Sequence, residues 1–571
     1  MRAQTIPAPR PIEEMTVDLL IVGSGTGLAT ALAAHERGLN VAVIEKTEYV
    51  GGSTARSGGA FWIPANPVLE RDGAVDSLER GAEYIETVVE GTSPPARWRP
   101  YLDHGAEAVR MIERTTPLRF RWIRGYSDYQ PERAGGNAAG RSVEARPFDL
   151  ARLGTERTRF RPAAMAAPFP MPVTGADYKW LNLIARLPLR VLPRAIRRAV
   201  QGIGGKLLGR DYAAGGQAFA GGLYAGVLNA RIPIFTETEL MQLIRDGERV
   251  TGAVVQQGAR QVTVTTRRGV VLAAGGFDHE MQMRRAYQSP GLVRDVSLGA
   301  DGNTGDAIRI GQEVGAGLRH MDQAWWFPAI APVDESAGPQ ILLAERSLPG
   351  SFMVDASGKR FINEALNYMA FGQEVLRREA AGDPVGRMWL VFDQRYRNDY
   401  LFAGQVFPRM PLPRSWYRAG IAHRAQSPAM LARAMGVPIA AFETAFRRFN
   451  ANAGAGIDED FQRGNSAYDR YYGDPTRTPN PNLRGLDGSR LYAVEVVLSD
   501  LGTCGGLRAD GAGRVLTDEG EVIPGLFAQG NTAANAFGEV YPGAGATVGQ
   551  GIVFGVAIVD AVLGDGPARV R

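Results

Sequence analysis

A single cysteine, Cys504, stands in a chain of 571 residues. It can close no internal disulfide, and its isolation excludes Cys-cluster zinc and iron–sulfur sites. The five histidines, His35, His104, His279, His320 and His423, are scattered without ligand spacing, so no metal is expected. The N-terminal stretch "MRAQTIPAPRPIEEM" lacks the apolar core of a secretory signal. No uninterrupted apolar run reads as long enough to span a bilayer, and the expected compartment is the cytoplasm. Acidic residues are missing from one segment. Between Tyr178 and Arg210 there are eight Lys/Arg and no Asp or Glu. That segment carries +8 of a chain total of +4, so the remainder is −4.

Glycine, by contrast, is abundant. The 71 glycines fall at the ends of apolar runs rather than in repeats, as in an enzyme with many strand-to-helix turns around a large ligand. A composition of 45% apolar and 22% charged residues is that of a globular protein, and the length asks for more than one core. "VDLLIVGSGTG" (17–27) is a buried-strand run leading into a glycine turn. "LATALAAHERG" follows as a small-residue helix, and "VAVIEK" (41–46) as a second strand. This is the first βαβ unit of a dinucleotide fold. Gly23 permits the tight turn, and Gly25 lets the backbone approach a pyrophosphate at the helix N-terminus. Gly27 comes one residue before the usual third glycine position, which is Leu28 here, so helix–strand packing must differ slightly. Glu45 closes the second strand, before Lys46, and is placed to accept hydrogen bonds from a ribose.

The next segment points to FAD rather than a nicotinamide. "VGGSTARSGGAFWIP" (50–64) is a second loop rich in glycine and hydroxyls, including Gly52, Ser53, Thr54, Ser57, Gly58 and Gly59. A flavin needs such a segment along its pyrophosphate and isoalloxazine; a nicotinamide fold does not. "GVVLAAGG" (269–276) contributes Ala274 and Gly275, and "GLFAQGNTAANAFG" (525–538) contributes Gly530 and Asn531. "EVYPGAGATVGQG" (539–551) adds Ala546 and Val548 at the start of a last helix. Discontinuous pieces closing on one cofactor resemble the fumarate reductase/succinate dehydrogenase class of flavoproteins. The 50–64 loop lacks the histidine to which covalent members attach flavin, so non-covalent FAD is implied. The dicarboxylate enzymes of that class carry a His-Thr-x-Gly-Gly segment, and "DLGTCGGLRAD" (500–510) has Gly502 in place of that histidine. This weakens a dicarboxylate reading.

What remains is rich in tyrosine. "WIRGYSDYQPERAGG" (122–136), "KRFINEALNYMAFG" (359–372) and "GEVYPGAGATVG" (538–549) each present tyrosine in a loop-like segment. With "GGSTARSGGAFWIP" and "VLSDLGTCGG", these resemble the 3-ketosteroid Δ1-dehydrogenases, collinearly over about residues 15–175 and 215–560. The resemblance implies FAD-dependent 1,2-dehydrogenation of 3-ketosteroids. Tyr368 falls on the family's base, which removes a C2 proton, and Tyr129 on the tyrosine that assists it. Tyr541 and the backbone N–H of Gly545 fall on the pair that holds the C3 ketone oxygen, while flavin N5 takes hydride from C1. A second tyrosine donating to the base would favour its anion. Phe61, Trp62, Trp325 and Trp326 would suit an apolar substrate wall. Side-chain-bearing sterones such as cholest-4-en-3-one are within that substrate class. The alternative is a 3-ketosteroid Δ4-(5α)-dehydrogenase or another flavin ene-reductase, and a non-enzymatic alternative is a flavin-containing membrane scaffold.

The expected architecture is α/β: a Rossmann-like FAD-binding domain from 1–323 and 503–571, with an inserted α+β catalytic domain over 324–502. The basic segment 178–210 interrupts the family pattern. Aliphatic residues alternate there with arginines, and two prolines break it into short helices. It is expected to lie on a membrane, with Trp180 and the leucines inserted and Arg186, Arg190, Arg194, Arg197 and Arg198 at headgroups. That would place the protein peripherally on the inner face of the cytoplasmic membrane, with a membrane quinone as one possible electron acceptor. Nucleic acid suits the segment poorly, because half of it is aliphatic.

Overall fold

The structure, a computed structural model, describes residues 6–164 and 169–564. Strand Met15–Val22 is central to the larger sheet and pairs in parallel with Val41–Ile44 and Arg260–Leu272. Its last four residues are buried, as a continuous apolar run requires of a strand covered on both faces. Helix Gly27–Glu36 connects it to Val41–Ile44. The sheet extends in parallel through Ile234–Phe235 on one side and Val522–Ala528 on the other. Arg514–Leu516 and the antiparallel strands Thr238–Asp246 and Arg249–Gln257 bring it to eight strands. One parallel strand therefore comes from near the far end of the chain. The first turn shows why glycine is needed. Gly23 has φ +108°, and a Cβ there would lie 2.2 Å from the Ala273 carbonyl oxygen.

Helix Ala546–Gly564 packs over this sheet against Gly27–Glu36. Added Cβ atoms at Gly551 and Gly555 would come within 2.4 Å of Thr26 Oγ1 and 2.5 Å of Thr30 Oγ1, so the small residues set the helix spacing. This helix is long and apolar enough to cross a membrane, yet 78% of its apolar window is buried within the protein. Gln550 and Asp560 interrupt it, so it is not an uninterrupted apolar run, and its burial makes it a core helix.

A second sheet is antiparallel. Ala324–Ile330, Met388–Asp393 and Ala422–Ala425 all pair with Leu491–Thr503, with Gln340–Ile341 beyond the first and Ser351–Val354 beyond the second. Helix Tyr368–Ala380 lies on this sheet, and Gly372 lets it approach closely, since a Cβ there would be 2.2 Å from Trp326 Cβ. A small sheet of Ala60–Trp62, Ser142–Ala145 and Phe120–Trp122 takes up the end of the 50–64 loop.

The basic segment forms helix Gly175–Leu181, then helix Pro188–Ala199 continuing through a wide turn to Leu207. Two of the five arginines expected at headgroups turn inward. Arg198 Nε sits 2.6 Å from Asp177 Oδ2, and Arg186 Nε 3.0 Å from Asp474 Oδ2. Trp180 packs against the core of the second sheet instead of standing free. Asp177, one residue outside the acid-free window, supplies the partner that turns Arg198.

Candidate active site

A cavity of about 530 Å³ runs between the two sheets. Its nucleotide half is lined by Gly23, Gly25, Glu45, Lys46, Gly52, Ser53, Thr54, Ser57, Gly58, Gly59, Ala274, Gly275, Gly530, Asn531 and Val548. The chain segments behind these residues are far apart in sequence, and the sheet edge gathers them. A Cβ at Gly25 would meet Thr54 Oγ1 at 3.3 Å, so the two glycine loops lie against each other as a floor almost free of side chains. Helices Gly27–Glu36 and Ala546–Gly564 both begin at this floor, which directs two sets of free N–H groups and two positive helix ends toward one place. That donor set fits a pyrophosphate, as in a dinucleotide such as FAD. Glu45 is tied in from behind. Its Oε2 accepts from Ser24 Oγ at 2.6 Å and its Oε1 from Thr47 N at 3.0 Å, which fixes the carboxylate at the cavity wall. Lys46 pairs with Asp306 at 2.5 Å. Ser53 Oγ accepts from Ala300 N and Asn303 Nδ2 at 2.9 and 2.8 Å, and Ser57 closes its own turn through Gly59 N at 3.1 Å.

Gly27 and Ala546 are not on the cavity surface. Gly27 is a packing glycine, with its hypothetical Cβ 3.0 Å from Ile21 Cγ2 and 3.2 Å from Ala273 Cβ. Helix–strand contact at the position of Leu28 is thus made one residue earlier. Ala546 is fully buried at the helix start.

At the other end of the cavity three phenols meet. The ring centroids of Tyr129 and Tyr368 are 5.2 Å apart, those of Tyr129 and Tyr541 5.2 Å, and those of Tyr368 and Tyr541 5.5 Å. Tyr368 and Tyr541 line the cavity, and Tyr129 stands behind them. Each comes from a different element. Tyr368 opens helix Tyr368–Ala380, whose N-cap is Asn367 accepting from Ala370 N at 3.0 Å. Tyr129 is held to the Tyr541 loop by its own N–H, 3.0 Å from the Pro542 carbonyl. Tyr541 Oη accepts from Gly545 N at 3.4 Å and from Thr547 Oγ1 at 3.1 Å, leaving its own proton free to donate. Gly545 is again a position for glycine alone, with φ +97° and a Cβ that would sit 2.4 Å from the Ala60 carbonyl oxygen.

Burial pushes the Tyr129 and Tyr368 phenols well above 10. A hydrogen bond from Tyr129 to Tyr368 would act in the expected direction, toward the anion, but desolvation outweighs it. The Tyr129 hydroxyl is buried without a hydrogen-bond partner among the described residues, so it is free to serve an oxygen brought by its neighbour.

Asp128 anchors this arrangement. It accepts from Trp62 Nε1 at 2.7 Å and from Asn137 N at 3.0 Å, and it pairs with the fully buried Arg141. Burial raises its carboxyl to about 6. Arg141 also reaches Asp76 at 2.8 Å. Asp128→Ala removes one of two charges facing a buried guanidinium and is expected to cost about 3–5 kcal/mol of folding stability. Urea unfolding of the holoenzyme measures this, and a loss under about 1 kcal/mol would show that Asp76 alone suffices.

The four aromatics expected as a substrate wall do not line the cavity. Trp62 is spent on Asp128, Trp325 Nε1 donates to Asn531 Oδ1 at 3.0 Å, and Phe61 and Trp326 are fully buried. The wall is made by Ile123, Tyr126, Val173, Tyr178, Phe327, Ile341, Leu343 and Tyr472. Sequence reasoning also missed Ser24, Asn303 and Thr547. Thr547 alone had a usable sign, standing two residues past Gly545 at the helix start.

Comparison with known proteins agrees with this geometry. The family profile described as "FAD binding domain" matches residues 18–548. A 3-oxosteroid 1-dehydrogenase of Mycolicibacterium smegmatis is 40% identical over 549 residues, covering 94% of this chain and 95% of its own. The chain belongs to the 3-ketosteroid Δ1-dehydrogenase family of FAD-binding flavoproteins. In the same family, the crystal structure of the 3-ketosteroid Δ1-dehydrogenase from Sterolibacterium denitrificans, in complex with 1,4-androstadiene-3,17-dione, matches with a TM-score of 0.90 at 33% identity. That match covers 96% of this chain and all of that one. A 4-oxocyclohexanecarboxylate 2-dehydrogenase of Sinomonas cyclohexanicum is 33% identical over 558 residues, covering 95% and 92% of the two chains. These relatives share a ring ketone as the feature their names have in common.

Proposed function

We propose that this protein removes hydrogen across C1 and C2 of 3-ketosteroids, with Tyr368 as the base at C2. The observation that carries this reading is the triangle of Tyr129, Tyr368 and Tyr541, three phenols from three remote segments within 5.5 Å of one another. A proton beside a ketone leaves only if charge on the ketone oxygen is stabilised as it develops. The Gly545 N–H rests on the Tyr541 oxygen at 3.4 Å; a ketone oxygen seated beside them would take a hydrogen bond from the Tyr541 hydroxyl and draw that N–H to itself. Tyr368 takes the C2 proton in its ionised form, and Tyr129, behind it, favours that anion by donating a hydrogen bond to the Tyr368 oxygen. FAD, bound without a covalent link, supplies the hydride acceptor for C1 and passes electrons on to an external acceptor such as a quinone.

The lining favours a steroid over a small keto acid. Its cationic members are Lys46, Arg56 and Arg161, and Lys46 and Arg161 pair with Asp306 and Asp301 while Arg56 donates to the Leu298 carbonyl. The tyrosine end presents aliphatic and phenolic groups, suited to an apolar ring system. Anaerobic addition of 4-androstene-3,17-dione to the yellow holoenzyme is expected to bleach the flavin, and NMR of the product to place the new double bond at C1–C2. A new bond at C4–C5 from a 5α-steroid would favour the Δ4-(5α) alternative. A flavin left oxidised by every 3-ketosteroid offered would overturn both.

A further inference from the structure

Helix Pro188–Ala199 and its continuation to Leu207 have two unlike faces. Val191, Arg198, Gly202 and Gly205 point inward and are buried. On the outer face Leu189, Leu192, Ile196, Val200, Ile203 and Leu207 recur at steps of three and four residues, and all are exposed, Leu189 at 89% and Leu207 at 84%. Leu208 extends the row, exposed at 77%. Spacing of this kind forms one continuous aliphatic stripe along a helix. A row so long and so exposed is not the ordinary scatter of apolar surface residues.

Cations border the stripe. Arg190, Arg194, Arg197 and Lys206 are exposed and make no ion pair among the described residues. The segment holds no acid between Tyr178 and Arg210. A second copy of the chain set against this face across a two-fold axis would bring like charges together. An anionic lipid surface meets both the stripe and the charge. The same excursion of the chain also walls the cavity: Ala164, Val173, Thr174, Gly175 and Tyr178 line it. Exposed Phe169 lies between them, and its neighbour Pro170 rests its carbonyl against Gly202 of the helix, where no Cβ would fit.

We infer that the outer face of residues 188–208 seats in the headgroup–acyl boundary of an anionic phospholipid bilayer, and that the apolar substrate enters the cavity from that lipid. An amphipathic helix lying in the interface buries its aliphatic stripe at that depth and keeps its cations at the headgroups. Arg186 and Arg198 have no part in it; their ion pairs fasten the segment to the body of the protein. The entry route rests on the proposed steroid activity, whereas the docking does not.

Co-sedimentation of the holoenzyme with phosphatidylcholine–phosphatidylglycerol vesicles tests the docking without turnover. Binding is expected to exceed that to phosphatidylcholine alone. It is expected to fall about tenfold or more in the triple variant Leu189→Glu, Ile196→Glu, Leu207→Glu, whose positions are all exposed. Arg190→Gln with Arg197→Gln should remove the preference for the anionic vesicles. The triple variant should oxidise dissolved 4-androstene-3,17-dione as the parent does, but slow on cholest-4-en-3-one held in vesicles. Undiminished sedimentation of the triple variant would overturn the docking. So would a parent dimer that the triple variant converts to monomer, since a second copy would then cover the face. Equal rates on vesicle-held sterone, with sedimentation lost, would overturn the entry route alone.

Discussion

Tyr541→Phe is expected to lower kcat about 10²–10³-fold, equivalent to about 2.7–4 kcal/mol of transition-state stabilisation, while FAD stays bound. On the proposed reading, the substitution removes one of the two donors to the ketone oxygen and leaves the other, the Gly545 N–H that rests on the Tyr541 oxygen at 3.4 Å. The ring itself remains, so its contacts with Tyr129, Tyr368 and Trp325, at centroid distances of 5.2, 5.5 and 4.6 Å, keep the cavity wall in shape. A donor that matters chiefly when charge develops should change kcat more than KM. Steady-state kinetics on a dissolved 3-ketosteroid, with the flavin-to-protein absorbance ratio as the control for cofactor retention, measures both. Turnover equal to the parent's would remove Tyr541 from the chemistry. Thr547→Val is the companion variant, because it deletes a donor to the phenol oxygen and leaves the phenol proton. A small loss there and a large one in Tyr541→Phe would assign the effect to the proton that faces the ketone.

The front of the fold was legible because its information is local. An apolar run, a glycine turn, a small-residue helix and an acid at the next strand end all lie within 17–46, and each has one physical reading. The antiparallel sheet was not legible in this way. Leu491–Thr503 pairs with three strands drawn from 324–425, and no local pattern states which apolar runs become neighbours. The phenol triangle came through family resemblance, since spacing along the chain says nothing about rings 5.2 Å apart in space. Trp62 and Trp325 show the limit most clearly. A buried indole N–H is usually hydrogen-bonded, and the partners of these two, Asp128 and Asn531, are remote in sequence, so the positions of the rings outside the cavity lining could not be read from local pattern. Arg198 shows the same limit at short range. A window opened at Tyr178 reads as pure cation, but Asp177 is beside it, and the packing of helix Pro188–Ala199 against helix Gly175–Leu181 brings Asp177 to Arg198.

Tyr368→Phe is expected to lower kcat about 10²–10⁴-fold, the range for loss of a positioned proton acceptor, and to change how the rate depends on pH. Burial holds the Tyr368 phenol well above 10, so at neutral pH only a small fraction is ionised. A base raised in this way gains ionised population as pH rises, and the parent's kcat/KM should climb through the neutral and alkaline range. The substitution removes that group, so the variant's residual rate should be nearly flat over the same interval. Tyr541→Phe, which keeps the base, should retain the slope at a lower rate. Tyr129→Phe should also retain a slope, because Tyr129 stands behind the cavity and acts only through the Tyr368 oxygen. The pH profile thus separates a base from a residue that shapes the pocket. A Tyr368→Phe enzyme with the parent's slope would mean that another group takes the C2 proton, and Tyr368 would then be a wall residue whose ring happens to face the ketone.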